Sequence, residues 1–233
     1  MLLALILTLA APVPSVPAIQ QRTEQELGSR IGVPRRVRVP ESRTRSTVTE
    51  SRLVMAAYGR CVVEREASKL GKALAAPDDG SFEEAARILV SDDCLFEGEI
   101  RFTCAVLRRA VYTELYRRRA GSGEGRTWGP EVTKIDLSVP AQNEGHRSYL
   151  ALMAFADCVA QQDRNLARAI VVAPTSSERQ NAAFQEIVPK FPACINDGVQ
   201  LRLNKNVIEG ALAEVLYRGV APFVAKPTGG ASQ

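Results

Sequence analysis

The sequence states one pattern twice. Tyr58-Gly59-Arg60-Cys61-Val62 returns as Phe155-Ala156-Asp157-Cys158-Val159, with an aromatic, a small residue, a cysteine and a valine in the same places. A proline follows each of these cysteines at the same distance, Pro77 and Pro174. A second cysteine then comes after a segment carrying Phe82 or Phe184, at Cys94 and Cys194. Both copies close alike, on Leu115-Tyr116-Arg117 and Leu216-Tyr217-Arg218, preceded in register by Val106 and Val207 and by Ala110 and Ala211. A repeated pattern of this kind points to one supersecondary plan used twice, which restricts the fold more than any compositional figure does.

Inside each copy the apolar residues recur at helical spacing. The first helix of copy one is expected from Thr47 or Thr49 to about Leu74, with Val54, Ala57, Tyr58, Cys61 and Val62 on one face. Ser81 and Glu84 form a capping box before a short helix with Phe82, Ala86, Ile88 and Leu89 turned inward. A third helix from about Phe102 to Arg119 carries Val106, Leu107, Ala110, Val111 and Leu115. Copy two repeats the plan. A helix starts near His146 or Ser148, the stretch 165–172 extends it or forms a separate turn, Ser177 and Gln180 make the next cap, and a last helix runs from Asn204 to Tyr217. Aromatic residues make up only 6% of the chain, which favours helices packed through alanine and leucine over stacked sheets. The fold class expected is therefore all-α. Two tandem disulfide-stapled three-helix units, 47–119 and 145–219, pack as one pseudo-symmetric helical domain. Residues 120–144 are a linker with a candidate short strand at Lys134–Val139, where Trp128 lids the junction between copies, and 220–233 form a flexible tail.

Residues 1–18 read as a signal peptide. An apolar run begins the chain, it is shorter than a membrane span, and Val16 and Ala18 suit a small-residue cleavage site, although no lysine or arginine precedes the run. Residues 19–46 follow as a disordered basic linker, broken by Pro34 and Pro40 and carrying Arg35, Arg36 and Arg38. Export to the periplasm or beyond makes disulfides the expected state of the cysteines. Only Cys61 with Cys94 and Cys158 with Cys194 respects the repeat; Cys104 has Lys205 in its register and is left as the free thiol. A metal site is not expected, because no C-x-x-C spacing occurs and His146 is the only histidine.

Chemistry is sparse. The net charge of +4 is far from the footprint of a nucleic-acid binder, and no phosphate loop or cofactor motif is present. His146 stands at a helix start, a position that usually faces solvent. Asp92, Asp93, Glu97 and Glu99 cluster around Cys94 and offer an alternative reading as an envelope hydrolase working through paired carboxylates. Thiol exchange through Cys104 is a further alternative. Arg108, Arg109, Arg117, Arg118 and Arg119 crowd one helix and, with Arg35, Arg36 and Arg38, are candidates for contact with an anionic surface. Folding accounts for nearly every distinctive residue. The expectation is an exported, non-enzymatic helical protein of the bacterial envelope, a binding or structural module for an envelope protein or an anionic surface, without cofactor or metal and without a transmembrane segment once the signal is removed. The sequence leaves its oligomeric state open.

Overall fold

Two disulfides fasten a helical fold. Cys61 is bonded to Cys94 and Cys158 to Cys194, each pair with Cα atoms 5.6 Å apart, as the repeat requires. The computed structural model describes residues 47–90, 92–95, 101–122, 128–196 and 198–222, all within the unit Pro40–Gln233. The expected signal peptide 1–18, the linker 19–46, the residues Glu97 and Glu99, and most of the tail lie outside the described residues.

The helices are α1 (Thr47–Arg65), α2 (Ala67–Leu74), α3 (Asp79–Ala85), α4 (Cys104–Gly121), α5 (Glu144–Gln162), α6 (Arg164–Val172), α7 (Glu178–Ile187) and α8 (Lys205–Arg218). Short 3₁₀ turns at Ala86–Ile88, Asp92–Cys94 and Val188–Cys194 complete them. Among the described residues there is no strand. Helices α4 and α8 pack against each other most extensively, with α1 beside α4 and α5 beside α8. The core is continuous through Tyr58, Val62, Leu107, Val111, Leu115, Phe155, Val159, Ile170, Phe184 and Leu212.

Small residues set how closely these helices approach. A Cβ on Gly59 of α1 would fall 2.8 Å from the Ala110 Cβ and 2.9 Å from its carbonyl oxygen on α4. A Cβ on Gly210 of α8 would collide with the Arg109 side chain of α4. Gly210 thus costs helix propensity but permits the central crossing.

Several expectations need correction. The first helix of each half does not run through. It breaks at Glu66, whose backbone leaves helical geometry at φ −104° and ψ 23°, and again at Asp163, which caps α6 by accepting from the Leu166 amide. The segments 47–121 and 144–218 therefore each hold four α-helices, not three. The cap of α3 is Asp78, which accepts from the Ser81 amide, and not Ser81. Val54 and Ile88, placed inward by periodicity, are exposed, while Met55 takes the buried position beside Val54. The strand at Lys134–Val139 reduces to a single parallel bridge between Ile135 and Val220, since no further neighbour is there to extend it. Ser177 does cap α7, accepting from the Gln180 amide.

Residues 128–135 are held by the end of α8. Tyr217 donates its hydroxyl to the Pro130 carbonyl at 2.8 Å and Arg218 its Nε to the Thr133 carbonyl at 2.9 Å. Gly219 ends the helix with φ 71°, and its carbonyl accepts from the Ile135 amide, while the Ala221 amide donates to the Ile135 carbonyl. Positive φ at Gly219 is what lets the chain turn out of α8 straight into this pairing.

Candidate functional site

The arginines of α4 were expected to face a partner, and the structure turns most of them inward. Arg108 is fully buried and meets the equally buried Glu214 of α8 at 2.7 Å. Its remaining donors go to the carbonyls of Ala76 and Asp78, both at 3.0 Å, and its guanidinium lies over the rings of Phe82, Tyr112 and Tyr149. Arg218 joins from one turn below Glu214, at 2.8 Å, and Tyr149 donates to the same carboxylate at 2.8 Å. Burial alone would push the Glu214 carboxyl up, but two guanidinium groups and the Tyr149 hydroxyl hold it below the usual glutamate range. Burial works equally against the Arg108 charge, and Glu214 more than offsets it, so Arg108 stays protonated.

A second charged cluster lies around Glu209. Arg117 reaches across from α4 to Glu209 at 2.9 Å and also donates to the carbonyls of Val171 and Ala173 and to the Thr175 hydroxyl. Arg52 of α1 meets Glu209 at 2.7 Å and donates to Gln180 at 2.9 Å and Ser176 at 3.2 Å. Arg109 is paired with Asp79 at 3.0 Å, Arg118 with Glu114 at 2.8 Å and with Glu64, and Arg119 donates to the Tyr217 carbonyl and stacks on its ring. Each of these five arginines thus has a partner within the fold. Sequence reasoning missed this because it assigned charge to solvent, whereas α4 is enclosed on both sides and its countercharges, Glu209 and Glu214, come from a helix a hundred residues further along the chain. The signal available was the pair of glutamates inside the otherwise apolar run of α8.

Other candidates are placed as follows. Arg35, Arg36 and Arg38 lie outside the described residues. Asp93 is exposed and pairs with Arg65 at 3.1 Å; the Asp92 side chain, Glu97 and Glu99 lie outside the described residues. His146 is buried, contrary to expectation, because its Nδ1 accepts from the Gln142 amide at 3.2 Å and folds the ring back against the start of α5. Cys104 is the free cysteine among the described residues, half-buried at the start of α4, and burial pushes its thiol up, away from the reactive thiolate. Trp128 is half-buried, with Arg118 of α4 over its ring at 4.9 Å and its carbonyl 3.4 Å from the Tyr217 hydroxyl of α8. Among the described residues no group of three or more His, Cys, Asp or Glu could hold a metal, and no helix is long and apolar enough to cross a membrane.

Among the described residues a groove of about 810 Å³ opens where α5 and α6 meet the end of α8. Ala160, Leu137, Val215 and Leu216 give it an apolar lining, and Asp136, Asp157, Gln161 and Arg164 supply polar groups. Burial pushes the Asp157 carboxyl up although Gln161 donates to it at 2.6 Å. Asp136 is exposed and held below the usual range by the Ser138 hydroxyl and amide. Among the described residues, Asp136, Asp157 and Arg164 have no ion-pair partner. The sequence marks none of these as a ligand group, since the groove is formed only when the segment 135–138 is drawn against the end of α8. The chain matches no protein-family model, no curated protein and no solved structure.

Proposed function

We propose that this protein is an exported, non-enzymatic binding module of an oxidising compartment such as the periplasm, built from two copies of one disulfide-stapled helical unit. The observation that carries the reading is the division of polar groups: Arg108, Arg117, Glu209 and Glu214 of α4 and α8 are consumed in buried pairs, while the charged groups of the groove beside Asp157 have no ion-pair partner among the described residues. Two bridges close loops of 33 and 36 residues, consistent with folding outside the reducing cytosol. The apolar start of the chain supports the same route.

The two-fold organisation of the units rests on register. Arg109 and Gly210 occupy the same place in the two copies, and α4 and α8 touch at that pair. Arg52 corresponds to Tyr149 and Glu209 to Arg108; Arg52 pairs with Glu209 on one side, and Tyr149 lies against Arg108 on the other. A two-fold relation makes such contacts occur in equivalent couples. The helix breaks at Glu66 and Asp163 fall at equivalent positions too.

The test is site-directed photocrosslinking in cells producing the full chain. A benzophenone amino acid at Ala160 or Gln161 is expected to give a discrete crosslinked species, while one at Glu178 or Arg179 on the exposed side of α7 gives none. Equal crosslinking from both faces, or none from the groove, would remove the binding reading. Amino-terminal sequencing of the exported product, expected to begin at Ile19, tests the route separately.

A further inference from the structure

Backbone, and not only side chains, is left open in the groove. Ile135 exchanges both of its hydrogen bonds with the strand-like segment 219–221, its amide donating to Gly219 at 2.9 Å and its carbonyl accepting from Ala221 at 2.8 Å. In a parallel pairing of this form, the middle residue of the partner segment turns its own amide and carbonyl to the opposite side. That residue is Val220, which lines the groove and whose amide and carbonyl have no partner among the described residues. Among the described residues, Val220 is thus one unfilled edge of an isolated bridge, at the border of the groove.

The charges of the same cleft indicate what kind of chain fits. Two carboxylates, Asp136 and Asp157, stand against one guanidinium, Arg164, and none of the three has an ion-pair partner among the described residues. Asp157 is partly withdrawn from water, so its charge is costly without a cation, and a cationic group reaching it recovers that cost. We infer that the groove binds an extended peptide segment of another protein, which adds to the Val220 edge as a strand and places a lysine or arginine side chain against Asp157. Main-chain bonds then supply affinity and the acidic pair supplies selectivity. This rests on the groove being the binding site, as argued above.

The test begins with a phage-displayed random dodecapeptide library panned against the full oxidised chain. Enriched sequences are expected to carry a basic residue at a fixed position among β-formers, and to perturb the amide resonances of Val220 and Asp157. A synthetic enriched peptide should lose about tenfold in affinity for Asp157→Asn, a change that removes a partly desolvated charge and so should not lower the thermal midpoint. Methylating, one at a time, the peptide's backbone nitrogens should cost about tenfold at the single position that donates to Val220 and little at its neighbours. Because this variation is made in the ligand, it cannot be confused with misfolding of the protein. Enriched peptides that bind in the groove but lack the basic residue, or are indifferent to every methylation, would overturn the inference and leave the groove as a binding site. Absence of any resonance change in the groove would overturn both. A synthetic peptide of residues 223–233 competing as well as the enriched one would make the occupant the chain's own end, and would overturn the assignment to another protein.

Discussion

Tyr112 and Tyr149 are both buried beside Arg108, and their hydroxyls have opposite fates. Tyr149 donates to Glu214 and accepts from Arg218 at 2.9 Å, whereas the Tyr112 hydroxyl has no partner. Tyr149→Phe is expected to cost about 1–3 kcal/mol, and Tyr112→Phe to be neutral or slightly stabilising, as read from urea midpoints. The Arg108 and Glu214 pair is a sharper case. Arg108→Met and Glu214→Leu should each cost about 3–5 kcal/mol by stranding a buried charge, and the double variant should cost clearly less than their sum. Acid acts on the same group. Glu214 titrates lower in the fold than in the unfolded chain, so it adds stability above the ordinary glutamate value of 4.5 that is lost as pH falls through its lower folded value. The midpoint of the natural protein should therefore drop on acidification below that range by more than that of Glu214→Gln. Asp79, raised by burial and in part by Glu214 itself, shifts the opposite way, which offsets part of the difference without changing its sign. None of these partnerships was legible in the sequence. A residue's neighbours across a hundred positions leave no trace in local spacing, and a charge on an amphipathic pattern reads as solvated.

Helix existence, by contrast, was largely legible. Periodicity placed the helical stretches to within a few residues, because apolar spacing reports which face is covered, but it merged α2 with α1 and left α6 as an extension or a turn. What it did not locate were the interruptions at Glu66 and Asp163, where no proline or glycine marks the break, and the cap at Asp78, which competes with an equally plausible Ser81 three residues on. Packing partners of helices were visible only through glycine. Gly59 against Ala110 predicts that Gly59→Ala, which would gain about 1 kcal/mol by propensity on an open helix, instead destabilises by about 1–3 kcal/mol because α1 must move off α4. Thermal unfolding of this one variant decides between the two signs.

The pairing of cysteines and the all-α class came from the repeat, and both are present in the fold. The groove did not come from it, because it depends on the non-repeated segment 128–138 being tied to the end of α8. Each bridge should stabilise by roughly 3 to 4 kcal/mol through the unfolded chain. Replacing Cys158 and Cys194 together by alanine is expected to lower the urea midpoint of the full chain accordingly, and the loss of both bridges should leave it unfolded at 37 °C. The charged seam between α4 and α8 has one more effect, in time. Arg108 leaves the ribosome long before Glu214 and Arg117 long before Glu209, so the first half emerges without the carboxylates that stand closest to these guanidinium groups in the fold. A growing chain in that condition gains little from early collapse, and final closure waits for α8. Such a delay would keep the polypeptide threadable until its synthesis is nearly done.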